Sequence, residues 1–328
     1  MAADLRLGIR WAGGYPYFVR ASANDEEVLL LDPRRYMFDD NGEMDDPNKI
    51  TATNFGDGDN SERRKLISSI GGSVRRVSIV VAIASVVLYL SACGLLYFKQ
   101  RSLLYFPTAE SQQPDAVSVS LKSGGETIKI WTRTGASPDA VIYFGGNSED
   151  VGFTLSSIAK SLPGKDLYFV NYRGYGGSTG SPTESGLFTD SLAVYDLVQK
   201  GHANIAVVGR SMGTGVAVYL ASVRKVDKLV LVTPYDSIEN VAKHQFPYFP
   251  ISLLLRDKFD STSRVKDVSA KSLLIIAEKD EVIPRQNSDT LTAQFPAGQA
   301  KVQIINGATH NSIGFASEYS ELLASFLK

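Results

Sequence analysis

Ile205-Ala206-Val207-Val208-Gly209-Arg210-Ser211-Met212-Gly213-Thr214-Gly215 is the stretch from which the rest of the chain is read. Ile205 to Val208 is an apolar, largely β-branched run, the pattern of a buried parallel strand. Val216 to Val223 follows with helical spacing. Between them sits Gly209-x-Ser211-x-Gly213. A serine on so tight a strand-to-helix turn has strained backbone angles and a hydroxyl lifted above the sheet. The residues two before and two after must be small, because a side chain there would strike the neighbouring strand and helix. The helix N-terminus beneath the serine offers free N–H groups to a developing negative charge. The blander reading is a small-residue turn in a chain with 28 glycines. The strand before and the helix after argue against it.

The 328 residues suffice for one large domain and an appendage. Hydrophobic content of 44% and charged content of 21% describe a globular protein. A net charge of −1 gives no argument for nucleic acid as a partner. The single cysteine, Cys93, excludes an intrachain disulfide. No Cys/His cluster has zinc spacing, so neither a metal nor a cofactor is implied. The histidines are three: His202, His244 and His310.

Residues 1–70 differ from the rest. Up to Glu62 there are thirteen acidic and six basic residues, with recurrent Gly, Asn, Asp and Pro. This segment reads as variable, largely disordered or a small accessory element, with Val28-Leu29-Leu30-Leu31 able to supply a strand. Residues 77–98 then form a run of 22 without a charge. As a helix it reaches about 33 Å, enough for a bilayer core of about 30 Å. Arg63, Arg64, Lys65, Arg75 and Arg76 precede it; Lys99 and Arg101 follow. That excess predicts a single-pass membrane protein with a cytoplasmic N-terminus and the C-terminal domain outside the cytoplasm. Leu90-Ser91-Ala92-Cys93 looks like a bacterial lipobox, which would make Cys93 a lipid-bearing mature N-terminus. The long segment before it favours an uncleaved anchor instead.

From about Leu104 onward strands and helices alternate. Val117–Leu121 and Thr127–Trp131 form a hairpin. Val141–Phe144, Leu167–Asn171, Ile205–Val208, Leu229–Val232, Leu273–Ala277 and Val302–Ile305 are continuous apolar runs. Crossover helices are expected at Ser156–Ser161, Gly186–Lys200, Val216–Val223 and Ser288–Gln294. The fold class is α/β, an eight-stranded, mostly parallel sheet with helices on both faces.

A serine hydroxyl needs a base, and the base needs an acid to hold its tautomer. His202 lies at the wrong end of the sheet, and His244 falls in the insertion after the sixth strand. His310 follows the last strand, at the edge where open α/β sheets place their sites. By elimination it is the base. Among carboxylates, Asp280 after the seventh strand is favoured, with Glu278, Glu281 and Asp236 as rivals. The order Ser211, Asp280, His310 suits an acyl-transfer triad. Gly145-Gly146-Asn147-Ser148 follows the third strand, where backbone N–H groups, together with that of Met212, face a developing oxyanion.

Several further motifs go with these residues: Leu104-Tyr105-Phe106-Pro107, Asn171-Tyr172-Arg173-Gly174-Tyr175-Gly176-Gly177-Ser178, Gly180-Ser181-Pro182-Thr183-Glu184, Leu253–Ser261 and Asp280–Pro284. With them the chain resembles the α/β-hydrolase superfamily, and more closely the membrane-anchored Bem-like serine hydrolases that include mammalian α/β-hydrolase-domain depalmitoylases. The resemblance covers residues 103–328 and implies the α/β-hydrolase fold. It also implies a Ser211/Asp280/His310 triad and an oxyanion hole from the N–H groups of Asn147 and Met212. Two departures stand out: Gly145 where the family has histidine, and Ala277-Glu278 where it has glycine before the acid loop. The Gly-rich Tyr172–Gly177 turn lacks the GxxxxGK[ST] pattern of a nucleotide loop.

Residues 234–271 are long for a connection and read as a short lid. Its Phe246, Phe249, Ile251 and Leu253–Leu255 either line an acyl pocket or pack a lid helix onto the sheet. The expected activity is cleavage of an ester, thioester or amide of an acyl substrate, small, lipid-like or carried on an acylated protein. The rivals are a serine peptidase of the same fold and a non-catalytic binding or scaffold module tethered at a membrane.

Overall fold

The computed structural model describes residues 6–12, 15–22, 25–29, 60–113 and 115–328. They divide into two units, within Met1–Ile83 and Ala84–Lys328. In the first, β1 (Arg6–Ala12), β2 (Tyr15–Ser22) and β3 (Asp25–Leu29) form an antiparallel meander. Val28 and Leu29 lie in the last of these strands. Residues 30–59, which carry most of the expected disorder, lie outside the described residues.

Helix α1 (Asn60–Leu104) is longer at both ends than the run of residues 77–98. Charge flanks mark where hydrocarbon should end, not where a helix must stop, since Glu, Arg and Lys are good helix formers. Val74–Leu104 is long and apolar enough to cross a membrane, with a mean hydropathy of 2.5 over its best window, and almost none of that window is buried.

The second unit is built on eight strands: β4 (Val117–Ser123), β5 (Glu126–Arg133), β6 (Asp139–Phe144), β7 (Asp166–Val170), β8 (Asn204–Arg210), β9 (Lys228–Val232), β10 (Lys271–Lys279) and β11 (Ala300–Thr309). Their order across the sheet is β4-β5-β7-β6-β8-β9-β10-β11. β5 pairs antiparallel with β4 and β7; every other pairing is parallel. This is the eight-stranded, mostly parallel α/β-hydrolase sheet expected from the sequence.

Side chains alternate between the sheet's two faces, and both faces are covered. Val207, Leu229, Leu231 and Leu274 point to one side, with α3 (Glu184–Val198) and α4 (Met212–Val223). Val208, Val230, Val232 and Ile275 point to the other, with α2 (Val151–Ile158) and, later in the chain, Tyr319, Leu323 and Leu327. Each fully buried residue of this kind contributes about 1.5–3 kcal/mol.

The expected helix at Ser156–Ser161 instead starts at Val151, because the Asp150 carboxylate accepts from Gly152 N and Phe153 N at 3.0 and 3.3 Å. That is an ordinary N-cap. The segment 234–271 contains α5 (Ile238–Gln245) and α6 (Ile251–Leu254). α7 (Arg285–Thr292) joins β10 to β11, and α8 (Ser317–Leu327), which the sequence reading does not anticipate, closes the chain. The strand order places β6 between β7 and β8. The loops leaving β6 and β8 therefore diverge and open a crevice at the strands' C-terminal edge.

Candidate active site

Ser211 stands between β8 and α4 with φ 49° and ψ −118°. A non-glycine residue in that region carries strain of about 1–3 kcal/mol, which the surroundings must impose. They do so through two glycines. A Cβ at Gly209 would lie 2.4 Å from the Gly213 carbonyl oxygen, and one at Gly213 only 2.1 Å from that of Phe144. The Ser211 N–H donates to Val232 O at 2.8 Å and fixes the turn on the neighbouring strand.

The last two strand ends bring their side chains to the same place. His310 Nε2 lies 2.8 Å from Ser211 Oγ. His310 Nδ1 lies 3.0 and 2.9 Å from the two carboxylate oxygens of Asp280. A carboxylate at Nδ1 makes that nitrogen the proton donor and leaves Nε2 free to accept the serine proton. Both side chains are buried. Asp280 is held in turn by the N–H groups of Val282 and Ile283, at 2.9 and 2.7 Å.

The other candidates are engaged elsewhere. Asp236 is buried and accepts from Ser237 N, Asn240 Nδ2 and Asn287 Nδ2. Glu278 accepts from Gly307 N, and Glu281 from the main chain of His310. His202 contacts Val198 O and Asp166, and His244 is exposed on α5.

Asn147 and Met212 line the cavity beside Ser211. Among the described residues neither main-chain N–H has an acceptor, whereas that of Gly146 donates to Glu149 Oε2 at 2.6 Å. The loop after β6 is braced from several sides. Tyr172 Oη donates to Gly145 O at 2.7 Å, and Tyr175 Oη to Asn147 Oδ1 at 2.8 Å. Asn147 Nδ2 donates to Leu104 O at 2.6 Å, and its Oδ1 accepts from Phe106 N at 2.9 Å.

Beneath the site lies an ion pair. Arg210 Nη1 donates to Glu149 Oε2 at 2.9 Å, and Nη2 to His310 O at 3.2 Å. Glu149 Oε1 also accepts from Tyr143 Oη and Thr154 Oγ1 at 2.8 and 2.7 Å. Burial works against the Arg210 charge, but Glu149, together with the Tyr143 and Tyr319 hydroxyls, offsets it and holds the guanidinium pKa above its ordinary value. Above Ser211 is a cavity of about 270 Å³ whose walls are mostly apolar, among them Leu96, Leu103, Phe246, Ile251, Leu254 and Ile283.

The family model described as alpha/beta hydrolase fold matches residues 140–264. An uncharacterized protein of Mycobacterium tuberculosis is 32% identical over 253 residues, which cover 71% of this chain and 87% of that relative. The chain belongs to the α/β-hydrolase family. Protein bem46 of Schizosaccharomyces pombe is 24% identical to this hydrolase over 289 residues, 80% of this chain and 97% of bem46. Lysophosphatidylserine lipase ABHD12 of Xenopus tropicalis is 34% identical over 209 residues, 55% of this chain and 53% of the lipase. The hydrolase thus matches about half the length of that lipase.

Sequence reasoning about this hydrolase missed the Glu149–Arg210 pair and the side-chain roles of Tyr172, Tyr175 and Asn147. The only signal for Arg210 was a cation set against the serine inside a buried strand end, where a charge needs a partner. The partner is 61 positions away, and no local pattern names it.

Proposed function

We propose that this α/β hydrolase is a membrane-anchored serine hydrolase acting on acyl esters or thioesters of lipid-like substrates. The observation that carries this reading is the 2.8 Å contact between Ser211 Oγ and His310 Nε2, with Asp280 on the far side of the ring and an apolar cavity above. His310 takes the proton as Ser211 Oγ bonds to the acyl carbon. Asp280 holds the ring and balances the imidazolium charge. The N–H groups of Asn147 and Met212 receive the oxyanion, each such donor worth about 3 kcal/mol. His310 then protonates the leaving oxygen or sulfur, and water, deprotonated by the same ring, releases the acid.

The acyl preference rests on the apolar walls of the cavity and on the activity in the name of the lysophosphatidylserine lipase relative. In this reading the anchor is α1, apolar over Val74–Leu104, with almost none of its most apolar window buried. Helix continues on both sides of the buried Cys93, which supports an uncleaved span over a lipid-modified N-terminus. The basic flank at Arg75 and Arg76 supports an orientation with the catalytic unit outside the cytoplasm, and protease added to intact cells is then expected to degrade it.

Labelling with a fluorophosphonate tests the chemistry. The full-length protein in membranes is expected to label, and Ser211→Ala is not. Hydrolysis of long-chain acyl esters should fall by roughly 10⁶ in the same variant. A folded, membrane-inserted wild type that does not label would replace this reading with that of a binding module.

A further inference from the structure

The lid is fastened to α1 at two levels. Near the helix C-terminus, Gln100 Nε2 donates to Leu254 O at 3.0 Å while its Oε1 accepts from Arg256 N at 2.7 Å. At the same level Arg101 Nε meets Asp257 Oδ2 at 3.1 Å, and the Arg256 guanidinium lies 4.2 Å from the Tyr97 ring centre. Three turns earlier, Tyr89 Oη donates to Tyr248 O at 2.9 Å and its ring stacks on Phe249 at 5.8 Å. These contacts fix a register. The lid runs along α1 from Arg101 to Tyr89, about 18 Å of helix.

Tyr89 lies inside the charge-free run of residues 77–98. Between Arg76 and Tyr89 stand only twelve residues, Val77 to Leu88. As helix they reach about 18 Å, against a hydrocarbon core of about 30 Å. A lid held clear of the bilayer would therefore leave the span too short, or draw Arg75 and Arg76 into hydrocarbon. With the whole run from Val77 to Phe98 in the core, Tyr89 sits about 13 Å below its surface, and Tyr248 and Phe249 sit there with it.

The lid's composition fits that depth. Phe246 to Leu255 are ten residues without a charge. Tyr248 is 86% exposed and Leu253 82%. Charges resume on either side, at Lys243 and His244 and at Arg256, Asp257 and Lys258, the last group level with Lys99 and Arg101 of α1. Irregular backbone is excluded from hydrocarbon unless its polar groups are paired. Here Pro247 and Pro250 have no N–H; five of the other eight residues (Phe249, Ile251, Leu253, Leu254 and Leu255) donate within the stretch, and Phe246 donates to Ala242 O of α5. The carbonyls of Tyr248 and Leu254 accept from α1 itself.

The geometry points to a lid, Phe246–Leu255, embedded in the hydrocarbon of the leaflet that holds the C-terminal end of α1, with the cavity over Ser211 opening to lipid acyl chains. This rests on the reading of α1 as a transmembrane span. Leu96 and Leu103 of α1 and Phe246 and Leu254 of the lid wall the same cavity. An acyl chain enters between helix and lid without crossing water, and α1 is part of the substrate site as well as a tether.

Depth measurement on the full chain in phosphatidylcholine vesicles tests this. Cys93→Ala leaves no cysteine, and single cysteines are then placed at Tyr248, Leu253, Ile83 and Val223 and labelled with an NBD fluorophore. Tyr248 and Leu253 face outward, so their replacement removes little packing, and two lid positions guard against one misfolded variant. The expected result is blue-shifted emission at 248, 253 and 83, quenched by doxyl-labelled lipid and untouched by iodide, with 223 quenched by iodide alone. Lipid quenching at 83 with iodide quenching at 248 and 253 overturns the embedded lid and leaves the anchor standing. Iodide quenching at 83 removes the anchor and the proposal together.

Discussion

A Cβ added at Gly213 would stand 2.1 Å from the Phe144 carbonyl oxygen, whereas Tyr248 and Leu253 of the lid turn more than four-fifths of their surface outward. The two regions lie on opposite sides of one cavity. Below it, the strained Ser211 turn, the His310 ring and the Asp280 carboxylate each have several fixed partners, and there is no room for an added methyl group. Above it, the lid touches the rest of the unit at few points and presents apolar side chains to its surroundings. In the proposed reaction, geometry is set by the close-packed floor, and what reaches it is set by the roof. Changes in the floor should therefore abolish or preserve turnover, while changes in the roof should reorder substrates.

Beyond the nucleophile itself, the largest effect is expected at Asp280. Asp280→Asn should lower kcat by roughly 10⁴ with little change in KM or thermal stability, since it alters the His310 tautomer and keeps the shape. An equal loss of stability would mean that Asp280 holds the fold rather than the ring. Gly213→Ala comes next. Its methyl group meets main chain that cannot yield, so a loss above about 4 kcal/mol and little soluble protein are expected in denaturant titrations. A folded, active variant would show the floor to be softer than its distances imply.

In the roof, Leu254→Trp should shorten the preferred acyl chain while fluorophosphonate labelling persists. Each methylene excluded from the cavity is worth about 0.8 kcal/mol, near fourfold in kcat/KM. An unchanged chain-length profile would remove the cavity from substrate selection. The smallest effect concerns Glu239, whose carboxylate is pushed down to about 2 by Lys243, Lys258 and the Ser252 hydroxyl. A depressed carboxylate stabilises the folded state fully above its unfolded value of about 4.3 and loses that contribution as pH falls toward the folded one. The protection factors of α5 amides, corrected for the intrinsic pH dependence of exchange, should therefore hold steady down to about pH 4 and fall between there and pH 2. Glu239→Gln should flatten that response.

The two regions also differ in how far the sequence discloses them. Six of the eight strands carry a short apolar run and the first two form a hairpin; Ser211, Asp280 and His310 each follow one of the runs, so their shared edge is legible from order alone. The early start of α2 depends on one side-chain oxygen of Asp150, and α8 has its buried Tyr319, Leu323 and Leu327 spaced four apart among serines, glutamates and the half-buried Leu322 and Phe326. The extension of α1 to Asn60 is hidden by charges that end an apolar run without ending a helix. The seating of the lid on α1 joins residues more than 150 positions apart. No window of sequence holds both partners.

The Arg210 side chain joins the ends of three strands, through Glu149 after β6, its own position in β8 and the His310 carbonyl after β11. Glu149 also holds the Gly146 N–H of the loop beside Asn147. A ligand that displaces that loop and one that displaces the histidine therefore act on a single electrostatic tie. Any coupling of their binding through that tie would be reciprocal, each altering the affinity of the other by the same factor. On the proposed mechanism, an oxyanion mimic seated at Asn147 and Met212 would be an effector of the base as well as an occupant of the site.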